Sequence, residues 1–157
     1  MGAGQSGICK ENGSGKLTSV IAEHDGYAAL GLVHRREVST EANRWLITDR
    51  LLPKKDPKKK LLARLHWLLP DWDWQLAGQR LQLESPHGVI EISIDASVGD
   101  DCSFQIVRAG EFGSRTAEPI AGWFSPTYGV KVPALSFIIE ATGLLPITLT
   151  TTWTLPD

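Results

Sequence analysis

The stretch Ile147-Thr148-Leu149-Thr150-Thr151-Thr152-Trp153-Thr154-Leu155 decides the fold class. Ile147, Leu149, Thr151, Trp153 and Leu155 fall on one row, and Thr148, Thr150, Thr152 and Thr154 on the other. In an extended chain successive side chains point to opposite faces, so this pattern separates an apolar face from a hydroxyl face. A half-buried strand explains it, with one row packed and the threonine row in water. Ile90, Ile92 and Ile94 repeat the period against Glu91 and Ser93. So do Trp45, Ile47 and Leu51 within Arg44 to Leu52, and Leu81 and Leu83 within Gln79 to Glu84. Leu135, Phe137 and Ile139 form another inward row, and Ile138 on the opposite face predicts cover on both sides there. Trp45 and Trp153 lie on inward rows and are expected in the core.

Turn formers separate these runs: Ser85-Pro86-His87-Gly88, Gly99-Asp100, Gly113-Ser114, Ser125-Pro126 and Thr142-Gly143. Roughly ten or more short strands at that spacing predict an all-β fold, an antiparallel two-sheet sandwich. It should occupy residues 16–157, after a glycine-rich, flexible lead-in over residues 1–15. Lys58 to Leu69 reads two ways. Apolar residues at 61, 62, 65, 68 and 69 fit a helix face, whereas Leu61, Ala63, Leu65 and Trp67 alternate as in a strand. Periodicity does not decide between them; the all-β surroundings favour the strand.

At 157 residues the chain has the size of one domain with a real core. An apolar fraction of 42% with 22% charged residues places it among ordinary globular domains, away from disordered or disulfide-scaffold classes. A net charge of −2 gives no footprint for nucleic acid. The basic run from Lys54 to Lys60 is broken by Asp56 and Pro57 and reads as a solvated turn. No apolar run reaches membrane-spanning length, and the first residues lack the regions of a signal peptide. Cys9 and Cys102 lie far apart and read as free thiols.

Candidate chemistry is sparse. Asn12-Gly13-Ser14-Gly15-Lys16-Leu17 fails as a phosphate loop, because Leu17 stands where a magnesium-binding hydroxyl is needed. No nucleophile-elbow sequence is present. His24, His34, His66 and His87 show no metal-type spacing, although His24 and His34 could meet on neighbouring strands. The carboxylates of Asp71 and Asp73, and of Asp100 and Asp101, sit in turn-like stretches that they more commonly cap. No metal or cofactor is expected. Aromatic residues are the more informative class, since a flat π face complements the C–H face of a pyranose. Trp72, between two aspartates in Pro70-Asp71-Trp72-Asp73, is the best such platform, ahead of Trp67 and Trp74. A second aromatic group comprises Trp123, Phe124 and Tyr128.

Several ordered stretches carry a family resemblance. They are Glu23-His24-Asp25-Gly26-Tyr27, then Val33-His34-Arg35-Arg36-Glu37-Val38, then Trp45-Leu46-Ile47-Thr48-Asp49-Arg50-Leu51-Leu52. Leu65-His66-Trp67-Leu68-Leu69-Pro70 follows, then Gly122-Trp123-Phe124-Ser125-Pro126-Thr127-Tyr128-Gly129-Val130-Lys131-Val132-Pro133 and Leu145-Pro146-Ile147-Thr148-Leu149-Thr150-Thr151. In order and spacing they resemble the C-terminal β-sandwich of heparinase II/III-like polysaccharide lyases.

That resemblance implies a parent enzyme in which an N-terminal α/α toroid joins the sandwich and cleaves acidic polysaccharides by β-elimination. There a base removes the proton α to a uronate carboxylate, and a Tyr or His handles the leaving oxygen. The family's sandwich gives a His from an H-x-H-A-D-like stretch, and some members bind zinc there and shortly after it. This sequence contains no such stretch and no toroid, so no catalytic or metal residue of the family maps onto it. The resemblance thus implies a fragment of a larger lyase sandwich that supports the substrate cleft and is inactive alone. Its expected partners are an acidic polysaccharide, in the parent enzyme, and the missing toroid, with no nucleic acid and no membrane. It also supports the strand reading of Lys60 to Leu69. The compartment is not legible; a periplasmic or extracellular parent fits such a substrate. The alternative is a free-standing carbohydrate-binding module. Either reading makes Tyr27, Arg35, Trp72, Trp123 and Tyr128 the residues expected at a sugar or domain contact, because Arg and Tyr suit carboxylated sugars.

Overall fold

Apolar alternation resolves into two layers of strands in a computed structural model, which describes residues 8–11, 18–54, 60–98, 101–112, 115–116 and 120–157. The strands are β1 (Ile8–Glu11), β2 (Thr18–His24), β3 (Leu32–Glu41), β4 (Arg44–Pro53), β5 (Leu61–Leu69), β6 (Trp74–Ala77), β7 (Arg80–Ser85) and β8 (Gly88–Ala96). They continue as β9 (Cys102–Arg108), β10 (Glu111–Phe112), β11 (Arg115–Thr116), β12 (Trp123–Phe124), β13 (Val132–Pro133), β14 (Leu135–Gly143) and β15 (Ile147–Thr154). A 3-10 turn, Ala28–Leu30, links β2 to β3, and no α-helix occurs among the described residues.

An eight-stranded sheet runs β1-β2-β3-β4-β15-β8-β7-β6, a five-stranded sheet runs β11-β10-β9-β14-β5, and β12 pairs with β13. Every pairing is antiparallel. The fold is therefore the expected all-β sandwich. Residues 61–69 are a strand, paired along their length with β14. Within residues 1–15, Ile8–Glu11 pairs with β2. The glycine cluster at 12–17 and the basic residues 55–59 lie outside the described residues. Cys102 is a free thiol.

The core lies between the two larger sheets. Leu81, Leu83, Ile92, Ile94, Ile147 and Leu149 from the large sheet meet Leu65, Ile106, Leu135, Phe137 and Ile139 from the smaller one. These are the inward rows read from the period-two pattern. Ile138, on the other face of β14, is buried with Val107 and Ala121 in a second small cluster. The cover predicted for it comes from the segment before β14, which folds back over the outside of the smaller sheet. Gly122 O accepts from Ala109 N and Ala134 N, each at 2.9 Å. Gly122 N donates to Ser136 Oγ at 2.7 Å, and that hydroxyl also bonds His66 Nε2 at 2.8 Å.

Ser136 is fully buried, so its hydroxyl is the acceptor that satisfies a buried amide. Ser136→Ala strands that N–H. It is expected to lower stability by about 1–3 kcal/mol, read as a lower urea midpoint with an unchanged slope.

The two layers are unequal in width. β5 is an edge strand facing β4 and β15, where Trp67 meets Trp153 edge-on at 5.5 Å. Beyond that point β3, β2 and β1 continue the large sheet without a facing strand among the described residues. Trp45 diverges here from the expectation of a core residue: it is 44% exposed, because its inward row runs out past the covered part of the sheet, whereas Trp153 is half-buried and packs against the core.

Candidate functional site

On the uncovered flank the register of β2, β3 and β4 assembles the most connected polar cluster. His24 stands directly opposite His34, and Arg36 directly opposite Asp49. Such cross-strand neighbours have their β-carbons within about 5.5 Å. His34 Nδ1 lies 2.9 Å from His24 Nε2, and His34 Nε2 lies 2.7 Å from Asp49 Oδ1. Arg36 forks onto the same carboxylate, Nε to Oδ1 at 2.7 Å and Nη2 to Oδ2 at 2.9 Å. The guanidinium also lies over the Trp67 ring, 5.1 Å from its centroid, and so reaches across to the other sheet.

The local turn fixes the tautomer of His24. Gly26 N–H donates to His24 Nδ1 at 3.1 Å. A β-carbon at residue 26 would sit 3.1 Å from that nitrogen, so glycine suits the close approach. Since His24 Nδ1 accepts, its Nε2 carries the ring proton and faces His34 Nδ1, while His34 Nε2 faces Asp49, so all four ring nitrogens are engaged. Tyr27 closes the outer end, its ring centroid 5.5 Å from that of His24.

Asp49 is 7% exposed. Burial pushes its carboxyl upward, but the hydrogen bonds from His34 and Arg36, with their charges, outweigh it and hold the carboxyl below its ordinary value. Its folded-state affinity for protons is therefore weaker than in the unfolded chain, where the value is about 3.9. The stabilisation is present above that pH and is lost as pH falls through the lower folded value. Stability is expected to fall on acidification below about pH 4, and Asp49→Asn should flatten that slope in thermal melts across the same range.

His34, Arg36 and Asp49 line a cleft of about 410 Å³ with Tyr27, Leu32, Leu51, Leu61 and Ile147. As arranged, the cluster clasps three strands and presents no free imidazole nitrogen to act as a base. Among the described residues no group of three or more His, Cys, Asp or Glu is placed to hold a metal ion.

The residues singled out in the sequence occupy separate places. Tyr27 is on the cleft rim, 46% exposed. Arg35 points to the other face of β3 and makes a 3.4 Å ion pair with Glu23. Trp72 packs partly on the core and lines a different hollow of about 530 Å³ with Asp71, Asp73, Trp74 and Arg108. Arg108 grips Asp71 there through two bonds of 2.6 Å. Trp123 lies under Lys131, whose Nζ is 4.0 Å from the ring centroid, while Tyr128 is fully exposed in the loop beyond it. Sequence reasoning paired His24 with His34 but missed Asp49 and Arg36. The available signal was phase: Asp49 falls in step with Ile47 and Leu51, and Arg36 with His34 and Val38, so a carboxylate and a guanidinium stand on inward rows.

By class the described residues form an antiparallel two-sheet sandwich with a clasped polar flank. The chain belongs to the heparinase II/III-like C-terminal family, which it matches over residues 2–152. Among solved structures it is similar to a heparinase III gene product, with a TM-score of 0.69 and 14% identity. The match covers 94% of this chain and 21% of that one, so the chain spans about a fifth of that protein's length. At that identity the likeness shows the fold alone. No curated protein matches the chain.

Proposed function

We propose that the chain is the sandwich portion of a polysaccharide lyase that acts by β-elimination on uronate-containing polysaccharides. In that role it braces the substrate cleft and supplies no catalytic group. The observation that carries the reading is the closed hydrogen-bond chain from Gly26 through His24 and His34 to Asp49. A family sandwich whose best-placed histidines have every ring nitrogen already engaged supports a scaffold role rather than a proton-transfer role. Tyr27, Arg35, Trp123 and Tyr128 are the contacts proposed for sugar or for the catalytic portion.

A second reading, a carbohydrate-binding module, rests on the hollow around Trp72, Trp74 and Arg108. One experiment separates them. The isolated chain is incubated with uronate-containing and neutral polysaccharides, following unsaturated-uronate absorbance and binding by calorimetry. The scaffold reading expects neither product nor saturable binding. Product formation would overturn it, and binding abolished by Trp72→Ala in a folded variant would favour the module.

A further inference from the structure

We infer that the hollow between Trp72, Trp74, Asp73 and Arg108 is a subsite for one class of sugar, an uncharged pyranose, and that it excludes uronates. This rests on the second reading above and names its ligand. It also makes Trp74 and Asp73 the residues that select that ligand.

The hollow is a separate place in the fold. β6, which begins at Trp74, is the outer strand of the large sheet, five strands from β3. At ordinary strand spacing that is about 24 Å from the clasp at His34. Its walls are pinned before any ligand arrives. Trp72 N–H donates to Pro70 O and Glu84 N–H donates to Asp73 O, each at 2.9 Å. Arg108, the last residue of β9, ties Asp71 to the smaller sheet through its two 2.6 Å bonds. The loop between β5 and β6 is therefore fixed to both sheets, and little ordering is left to oppose binding.

Three features set the ligand class. First, stacking surface and hydrogen-bonding groups meet in one space. Trp74 is 40% exposed and Trp72 half-buried, and the 530 Å³ hollow also holds Asp71, Asp73 and Arg108. An indole face complements the C–H face of a pyranose, and the polar groups suit its hydroxyls. The trough of about 390 Å³ beside Trp45 and Trp153 lacks that combination, because its one charged side chain, Arg36, is committed to Asp49. Second, Asp73 makes no side-chain hydrogen bond or ion pair among the described residues. An ionised carboxylate only accepts, so what it lacks is a donor, and a sugar hydroxyl is one. Third, the charge balance opposes an acid. Two carboxylates face one guanidinium, whose Nε–Nη2 edge Asp71 already occupies. Glu111 stands directly opposite Arg108 on β10 and adds another negative charge. A uronate carboxylate entering here meets net repulsion and finds that edge taken.

The test is calorimetric titration of the chain with neutral hexasaccharides of glucose, xylose, mannose and galactose, and with uronate hexasaccharides in parallel. The expected result is that at least one neutral ligand binds, with an affinity unchanged when salt is raised, and that no uronate binds. Trp74→Ala should weaken that binding by about tenfold or more, and Asp73→Asn by about threefold or more. Asp73 is exposed and unpaired, so its variant tests the site even where truncating Trp74 disturbs β6. Preferential uronate binding lost in both variants would overturn the neutral assignment and leave the second reading standing. Neutral binding unaltered in both variants would overturn the site and leave that reading intact. Binding to no member of either set would overturn both.

Discussion

Gly122→Ala is expected to destabilise the fold by about 4 kcal/mol and to leave much of the protein unfolded at moderate temperature. Gly122 has a φ of +74°, in the left-handed region, where an L side chain costs about 1–2 kcal/mol. A β-carbon there would also stand 2.5 Å from Ala109 N, 2.6 Å from Val107 O and 2.8 Å from the Arg108 carbonyl carbon. All three are backbone atoms of β9 and the turn after it, so no rotamer change relieves the overlap, and overpacking adds about 1–3 kcal/mol. The residue also holds the segment that covers Val107 and Ile138, through its bonds to Ala109, Ala134 and Ser136. Gly129→Ala is the control. Its φ is +77° but nothing lies within 4 Å of the added carbon, so only the backbone cost of about 1–2 kcal/mol should appear. Equal losses in the two variants, measured by urea unfolding, would show that the close approach at Gly122 contributes nothing.

Asp49→Ala is the next largest, at about 2–4 kcal/mol. Removing one member of a buried ion pair typically costs about 3–5 kcal/mol, because the other charge is left uncompensated. Here the cost is reduced because the Arg36 side chain, at 37% exposed, can turn toward water. His34, less exposed, loses the acceptor that fixes its tautomer, and with it the direction of the bond to His24. Two strand contacts therefore loosen together. Imidazole nitrogen NMR should show His34 changing tautomer in the variant, while the Phe137 and Ile139 core signals persist. An unaltered His34 spectrum would show that Asp49 does not set the proton position.

The layers of this fold were legible from spacing. Ile147 to Leu155, Ile90 to Ile94 and Leu135 to Ile139 each bury one row, and Ile138 announced a second covered face. These are local signals, since side-chain direction in a strand depends only on parity. The candidate site was legible only in part, because it depends on register between strands. His24, His34 and Asp49 come from three strands, and parity does not say which residues stand opposite. Trp45 shows the complementary limit: parity places it on the inner side, but exposure depends on how far the facing sheet extends. Tyr27 and Trp72 were chosen for their chemistry, and the fold sets them at different hollows, a matter of loop paths that composition does not encode.

The most direct measurement is the lyase activity of the catalytic portion of the parent enzyme with and without this chain supplied in trans, followed by unsaturated-uronate formation. The account predicts that neither polypeptide alone is active and that mixing them restores turnover. A catalytic portion that is fully active alone, or activity from the isolated sandwich, would contradict it.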